Sequence, residues 1–73
     1  MTQEAASIAV TVNGEETRIP AGLSLLGLVE RLGRDPRTVA IEHNGEIVRR
    51  AAYGDHVLGP GDRLEIVHFV QGG

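Results

Sequence analysis

An α+β fold is predicted from this chain: a mixed sheet of four to five strands packed on one main helix. Three observations predict it. The pairs Asn13-Gly14 and Asn44-Gly45 each follow a short β-prone run and precede a second one, which is the strongest local signal for a hairpin. Between them lies one convincing segment with the spacing of an amphipathic helix. The first and last strand-like runs are far apart in sequence, so a single helix can be covered most economically if those two runs lie side by side.

Ile8, Val10 and Val12 alternate with Ala9 and Thr11, the period of a half-buried strand. Asn13-Gly14 then supplies the two positive φ angles of a type I′ turn, and Glu15 to Ile19 reads as the return strand, ended by Pro20-Ala21-Gly22. Ser24 is placed to cap the helix, with Leu23 before it and Leu28 four residues after it as a hydrophobic staple. Leu25, Leu28, Val29 and Leu32 follow at i, i+3, i+4 and i+7 and form one apolar stripe. Gly33 suits a left-handed stop, and Pro36 prevents continuation. Gly27 inside the helix is unfavourable by about 1 kcal/mol relative to alanine, and close passage of the sheet is the expected reason.

Val39 to His43 reads as a third strand and Glu46 to Val48 as a short fourth. Arg49 to His56 has no period and is expected to hold an irregular or helical turn around Tyr53. Gly59-Pro60-Gly61-Asp62 is a turn, and Arg63 to Val70 is the final strand. The resulting order is the β-grasp, or ubiquitin-like, architecture. Residues 8–69 form the domain, with a flexible extension expected at 1–7 and a flexible tail at 70–73.

Composition narrows the function classes. At 73 residues the chain makes one small domain, able to bury only about 60% of its unfolded surface. It has no cysteine and so no disulfide framework. Aliphatic packing must hold it, because Tyr53 and Phe69 are its aromatic residues. A net charge of −3 argues against a nucleic-acid partner. No apolar run approaches the ~18 residues that span a bilayer, and the first seven residues carry Glu4 without a positive charge, unlike a signal peptide. The expectation is a cytoplasmic protein with no membrane partner. Lysine is absent, so copies cannot be conjugated through a side-chain amine.

The chain ends on Gly72-Gly73. Two glycines leave a carboxylate with no Cβ beside it, able to thread a channel closed to any side chain. A partner could activate that carboxylate. Cargo sulfur would have to be held there, because no thiol exists elsewhere in the chain. Against this stands chance: with glycine at 10 of 73 positions, such a pair arises about one time in fifty, and a cloning remnant is also compatible. Alternation in the last strand turns Leu64 and Ile66 toward the helix and Glu65, Val67 and Phe69 toward solvent. Val67, Phe69 and Val70 are therefore candidates for a docking surface next to the tail, with ordinary apolar surface as the competing reading.

No self-contained active site is visible. His43, His56 and His68 lack a metal-ligand spacing on one element and read as surface or satisfied histidines. Ser24 is explained by capping, without a base or an oxyanion hole. Gly59-Pro60-Gly61 lacks the pattern of a phosphate loop. Arg49-Arg50 and the group Arg31, Arg34 and Arg37 read as solvated faces, and Asp35 and Asp62 as turn aspartates.

The segments from Val39 to Val48 and from Gly61 to Val70, followed by Gly72-Gly73, closely resemble the sulfur carrier of thiamine biosynthesis, the ThiS family. The resemblance runs from about Ile8 to the end. Gln71 departs from it where many relatives have a third glycine, which bears on how the tail fits a partner's channel. The resemblance implies a carrier that is not itself an enzyme and binds no cofactor. A ubiquitin-activating-enzyme-like adenylyltransferase would use ATP to adenylate Gly73, with Gly72 and Gln71 threaded into its channel. A cysteine desulfurase relay would supply sulfur for a thiocarboxylate, and thiazole synthase would take that sulfur into the thiazole ring. Two other readings stay open: the small subunit of molybdopterin synthase or another thiocarboxylate carrier, and a β-grasp interaction module without sulfur chemistry.

Overall fold

A computed structural model describes residues 6–69. Five strands and one α-helix follow in the order β1 (Ser7–Val12), β2 (Glu15–Pro20), α1 (Leu25–Arg31), β3 (Val39–His43), β4 (Glu46–Val48) and β5 (Arg63–His68). Short 3-10 segments at Pro36–Thr38 and Arg50–Asp55 complete the connections. The sheet order is β2, β1, β5, β3, β4, with β5 parallel to β1 and antiparallel to β3. The last strand thus sits beside the first, as expected for a β-grasp.

Local chemistry explains the hairpins. Asn13 and Gly14 have φ of 51° and 86°, and Asn44 and Gly45 have 53° and 89°. Asparagine and glycine tolerate this left-handed region better than other residues. β1 begins at Ser7, and the Ala6 carbonyl accepts the Ala21 N–H at 3.0 Å, so the ordered sheet starts just before the expected domain boundary. β2 keeps Pro20 as its last residue, tolerated because an edge strand needs no outward N–H. β5 closes at His68 rather than at Val70; Val70 lies outside the described residues.

Helix α1 is two turns long. The Ser24 side chain accepts the Gly27 N–H at 3.0 Å, the expected cap. At the other end Gly33 has φ 74°, its N–H donates to Glu30 and the Arg34 N–H donates to Val29, which is a Schellman stop. Leu25, Leu28 and Val29 are buried as the stripe predicts. Leu32 is not: it is the C-cap residue, 42% exposed, because the helix stops before it can turn that side chain onto the sheet. Gly27 also departs from expectation. A Cβ there would meet Leu23 Cδ1 at 2.6 Å, so the crowding comes from the turn before the helix and not from the sheet.

The core is Val10, Ile19, Leu25, Leu28, Val29, Val39, Ile41, Val48, Tyr53, Leu58 and Leu64, all apolar save the Tyr53 hydroxyl. Tyr53 comes from the 3-10 segment and is buried in this core; its hydroxyl donates to the Val39 carbonyl at 3.4 Å. Among the described residues no helix is long and apolar enough to cross a membrane.

Candidate functional site

The docking residues expected from the sequence fall in and just after the second half of β5. Its parallel ladder with β1 has two pairs, Thr11 with Arg63 and Val12 with Leu64. Asn13 prolongs that ladder with a side chain. Its backbone N–H donates to Leu64 (2.8 Å), its Oδ1 accepts the Ile66 N–H (2.7 Å) and its Nδ2 donates to the Ile66 carbonyl (3.2 Å). Beyond Ile66 the register with β1 ends, while β3 continues to Val39 opposite His68. The Phe69 N–H then donates to the Thr38 carbonyl at 2.8 Å. His68 and Phe69 are consequently held against β3 and the Thr38 carbonyl before it.

Register fixes the open face of the sheet. Val67 lies opposite Ala40 and Glu65 opposite Glu42, while Glu42 also faces Ile47 across β4. Leu64 is buried and Ile66 partly buried on the helix side, whereas Val67 is 58% and Phe69 48% exposed. The alternation read from the sequence is therefore the alternation in the fold. Ile47, at 74% the most exposed of the large apolar residues among those described, joins this face two strands away. It was legible, since Val48 next to it points inward, but a three-residue strand offers too little pattern to commit its phase. The facing carboxylates Glu42 and Glu65 are a like-charge pair that cross-strand electrostatics disfavours, and only pairing across strands brings them together. The face is thus apolar at the tail end and acidic in the middle.

Val70, Gln71, Gly72 and Gly73, the expected docking, threading and modified residues, lie outside the described residues. Arg31, Arg34, Arg37, Arg49 and Arg50 are exposed, as read. Asp35 caps the Pro36–Thr38 turn and grips Arg37 through Nε at 3.2 Å and a second guanidinium nitrogen at 3.0 Å. Those hydrogen bonds, from the Arg37 side chain and then its backbone N–H, hold the Asp35 carboxyl below its ordinary range.

The histidines divide. His68 is exposed at the end of β5. His43 and His56 are drawn together by the fold, with His56 Nε2 at 2.7 Å from His43 Nδ1 and His43 Nε2 at 2.7 Å from Asp62 Oδ2. Burial pushes the Asp62 carboxyl up, but the Gly59 N–H, His43 and Asn44 outweigh it and leave the group below its ordinary range. Among the described residues no group of three or more His, Cys, Asp or Glu is placed to hold a metal ion.

A five-stranded mixed sheet clasping one helix, with its last strand beside its first, defines a ubiquitin-like β-grasp domain. A computationally designed protein based on human erythrocytic ubiquitin shares this fold at a TM-score of 0.53 and 22% identity, covering 92% of this chain and 95% of its own. The model of the ThiS family matches residues 4–73, and the chain belongs to that family. The crystal structure of the thiamine biosynthesis protein ThiS from Geobacter metallireducens superposes at a TM-score of 0.78 with 29% identity, covering 90% of this chain and all of that one. Proteins named thiazole synthase from Paramagnetospirillum magneticum and Magnetococcus marinus are 42% and 44% identical over 64 residues, or 88% of this chain. The chain spans about a fifth, 20%, of the length of these relatives.

Proposed function

We propose that this protein is a sulfur carrier whose working group is the Gly73 carboxylate, serving formation of the thiazole ring of thiamine. The family match over residues 4–73, which takes in Gly72-Gly73, carries this reading. The thiazole synthase relatives support that enzyme as the acceptor of the sulfur.

The chemistry follows from the weakness of a carboxylate as an electrophile. A carboxylate oxygen of Gly73 attacks the α-phosphorus of ATP on an adenylyltransferase, and pyrophosphate leaves. A sulfur nucleophile from a cysteine desulfurase relay then adds to the acyl carbon, and AMP departs with the bonding pair. Where that nucleophile is a persulfide on the relay, the product is an acyl disulfide; a second thiol then attacks the relay's own sulfur, the S–S bond to the acyl sulfur breaks, and a thiocarboxylate is left on Gly73 with a disulfide on the relay. The carrier is a protein substrate in each step, and ATP is consumed by the partner. Ordering the tail in a channel costs about 1–2 kcal/mol per residue. Val67 and Phe69, exposed where the tail departs, offer apolar area to offset that cost. Glu42 and Glu65 favour a partner with cationic groups opposite the middle of the sheet.

Intact-mass measurement after incubation with ATP, the activating partner and a sulfur source tests the reading. Exchange of one terminal oxygen for sulfur is expected. An unchanged mass under conditions that convert an authentic carrier would leave a β-grasp interaction module without sulfur chemistry. In cells, rescue of a deletion strain by thiazole supports the thiamine assignment, whereas loss of molybdenum-enzyme activity without thiamine need assigns the carrier to molybdopterin synthase.

A further inference from the structure

We infer that His56, His43 and Asp62 form a proton-sensitive clasp that ties the segment after the second 3-10 turn to the sheet and releases it when both rings are charged. The three residues come from separate parts of the chain: the end of β3, the end of the 3-10 segment, and the turn before β5. They lie at the opposite end of β5 from Val67 and Phe69, since His43 pairs with Leu64 and Val39 with His68.

The distances fix the protons. His43 Nε2 stands 2.7 Å from Asp62 Oδ2, an oxygen that already accepts the Gly59 N–H at 2.8 Å. A carboxylate oxygen accepts, so His43 Nε2 carries the hydrogen. In a neutral ring His43 Nδ1 is then a lone pair. His56 Nε2, 2.7 Å away with the rings edge to face and their centroids 4.5 Å apart, must donate to it. One added proton fits this chain, because His56 can take it on Nδ1 and still donate through Nε2. A second does not. It would set two N–H groups head to head at a distance that holds one hydrogen, on two adjacent cations, so the rings must part.

The surrounding charges set what each proton meets. Asp62 faces His43 from the turn, with Asn44 Nδ2 at 3.4 Å from its Oδ1. Glu46 and Arg49 line the groove of about 270 Å³ into which both rings open, together with Ile47, Val48 and Ala52. Asp55 precedes His56 and is exposed, and Glu42 precedes His43 on the open face.

Parting the rings has a local consequence. The His56 carbonyl accepts the Leu25 N–H at 2.8 Å and the Leu58 N–H donates to Leu23 at 3.0 Å, while Val57 bridges Ser24. This stretch ties the first turn of α1 to the rest of the domain, and the side chain of His56 joins it to the end of β3 beside the buried Leu58. Opening therefore frees the helix start and the groove beside exposed Ile47 without requiring the sheet to unfold.

The test is nuclear magnetic resonance on the full-length chain. Imidazole nitrogen shifts at about pH 8 are expected to show both rings neutral and protonated at Nε2. On stepwise acidification, once the ring shifts report both rings charged, protection of the Leu25 and Leu58 amides should fall about tenfold or more relative to the Val10 and Ile41 amides. In His56→Gln, which keeps a donor but cannot gain charge, that relative fall should be absent. A His43 ring protonated at Nδ1 in the neutral chain would overturn the clasp. So would a wild-type pH response equal to that of the variant, or one spread evenly over sheet and helix.

Discussion

Phe69 is held by its backbone and only half covered by its neighbours, which separates its contribution to stability from its contribution to recognition. Phe69→Ala is expected to keep the melting temperature close to that of the wild type, a cost within about 1 kcal/mol, while slowing sulfur loading by the activating partner. A large loss of stability with unaltered loading would place the ring in the core instead. Asp62 contributes to the acid dependence of stability. Its carboxyl lies below its ordinary value because hydrogen-bond donors outweigh its burial. A depressed folded value means the ionised group stabilises the fold above the unfolded value of about 3.9, and that contribution is lost as pH falls through the folded value. Asp62→Asn should accordingly lose stability at neutral pH and approach the wild type as the pH drops below about 4, measured by denaturant midpoints across the range.

At the scale of elements, α1 is short enough that its ends decide its stability. Ser24→Ala removes the acceptor of the Gly27 N–H and should cost about 1 kcal/mol in thermal or chemical unfolding. Gly27→Ala sets two effects against each other: alanine gains about 1 kcal/mol of helix propensity, but its Cβ lands 2.6 Å from Leu23 Cδ1 and 3.3 Å from Leu23 Cγ. The single substitution should change stability little. In a Leu23→Ala background the same change should stabilise by close to the full propensity gain, and a double-mutant cycle reads the difference. The elements were largely legible from residue order. Both Asn-Gly turns, the Ser24 cap, the Gly33 stop and the bounds of β3 and β4 appear where local chemistry puts them. Leu32 and Gly27 were misread because a helical wheel has no length and no neighbours: where the helix stops, and what curls over it, are set by packing.

For the whole molecule, the carrier reading separates a scaffold from a tail. All the packing contacts described above belong to residues 6–69, so deleting Gly73 leaves them in place. The truncated protein should melt with the wild type and accept no sulfur; normal loading would overturn the assignment of Gly73. Val67→Asp tests the face in the same way, expected to lower partner affinity about tenfold or more by placing a charge in an apolar contact while thermal unfolding stays near that of the wild type.

Sequence alone determined the elements, the phase of β5 and the terminal diglycine, because hairpin dihedrals, capping and strand alternation are local and are written in adjacent residues. Only the tertiary structure decided that Glu42 meets Glu65, that Asn13 finishes the β1–β5 ladder with its amide, and that His43, His56 and Asp62 share one hydrogen-bonded chain. Each of these joins residues 13 to 53 positions apart. Such contacts depend on strand order and register, which are fixed when the core closes on the helix, and no spacing along the chain encodes them.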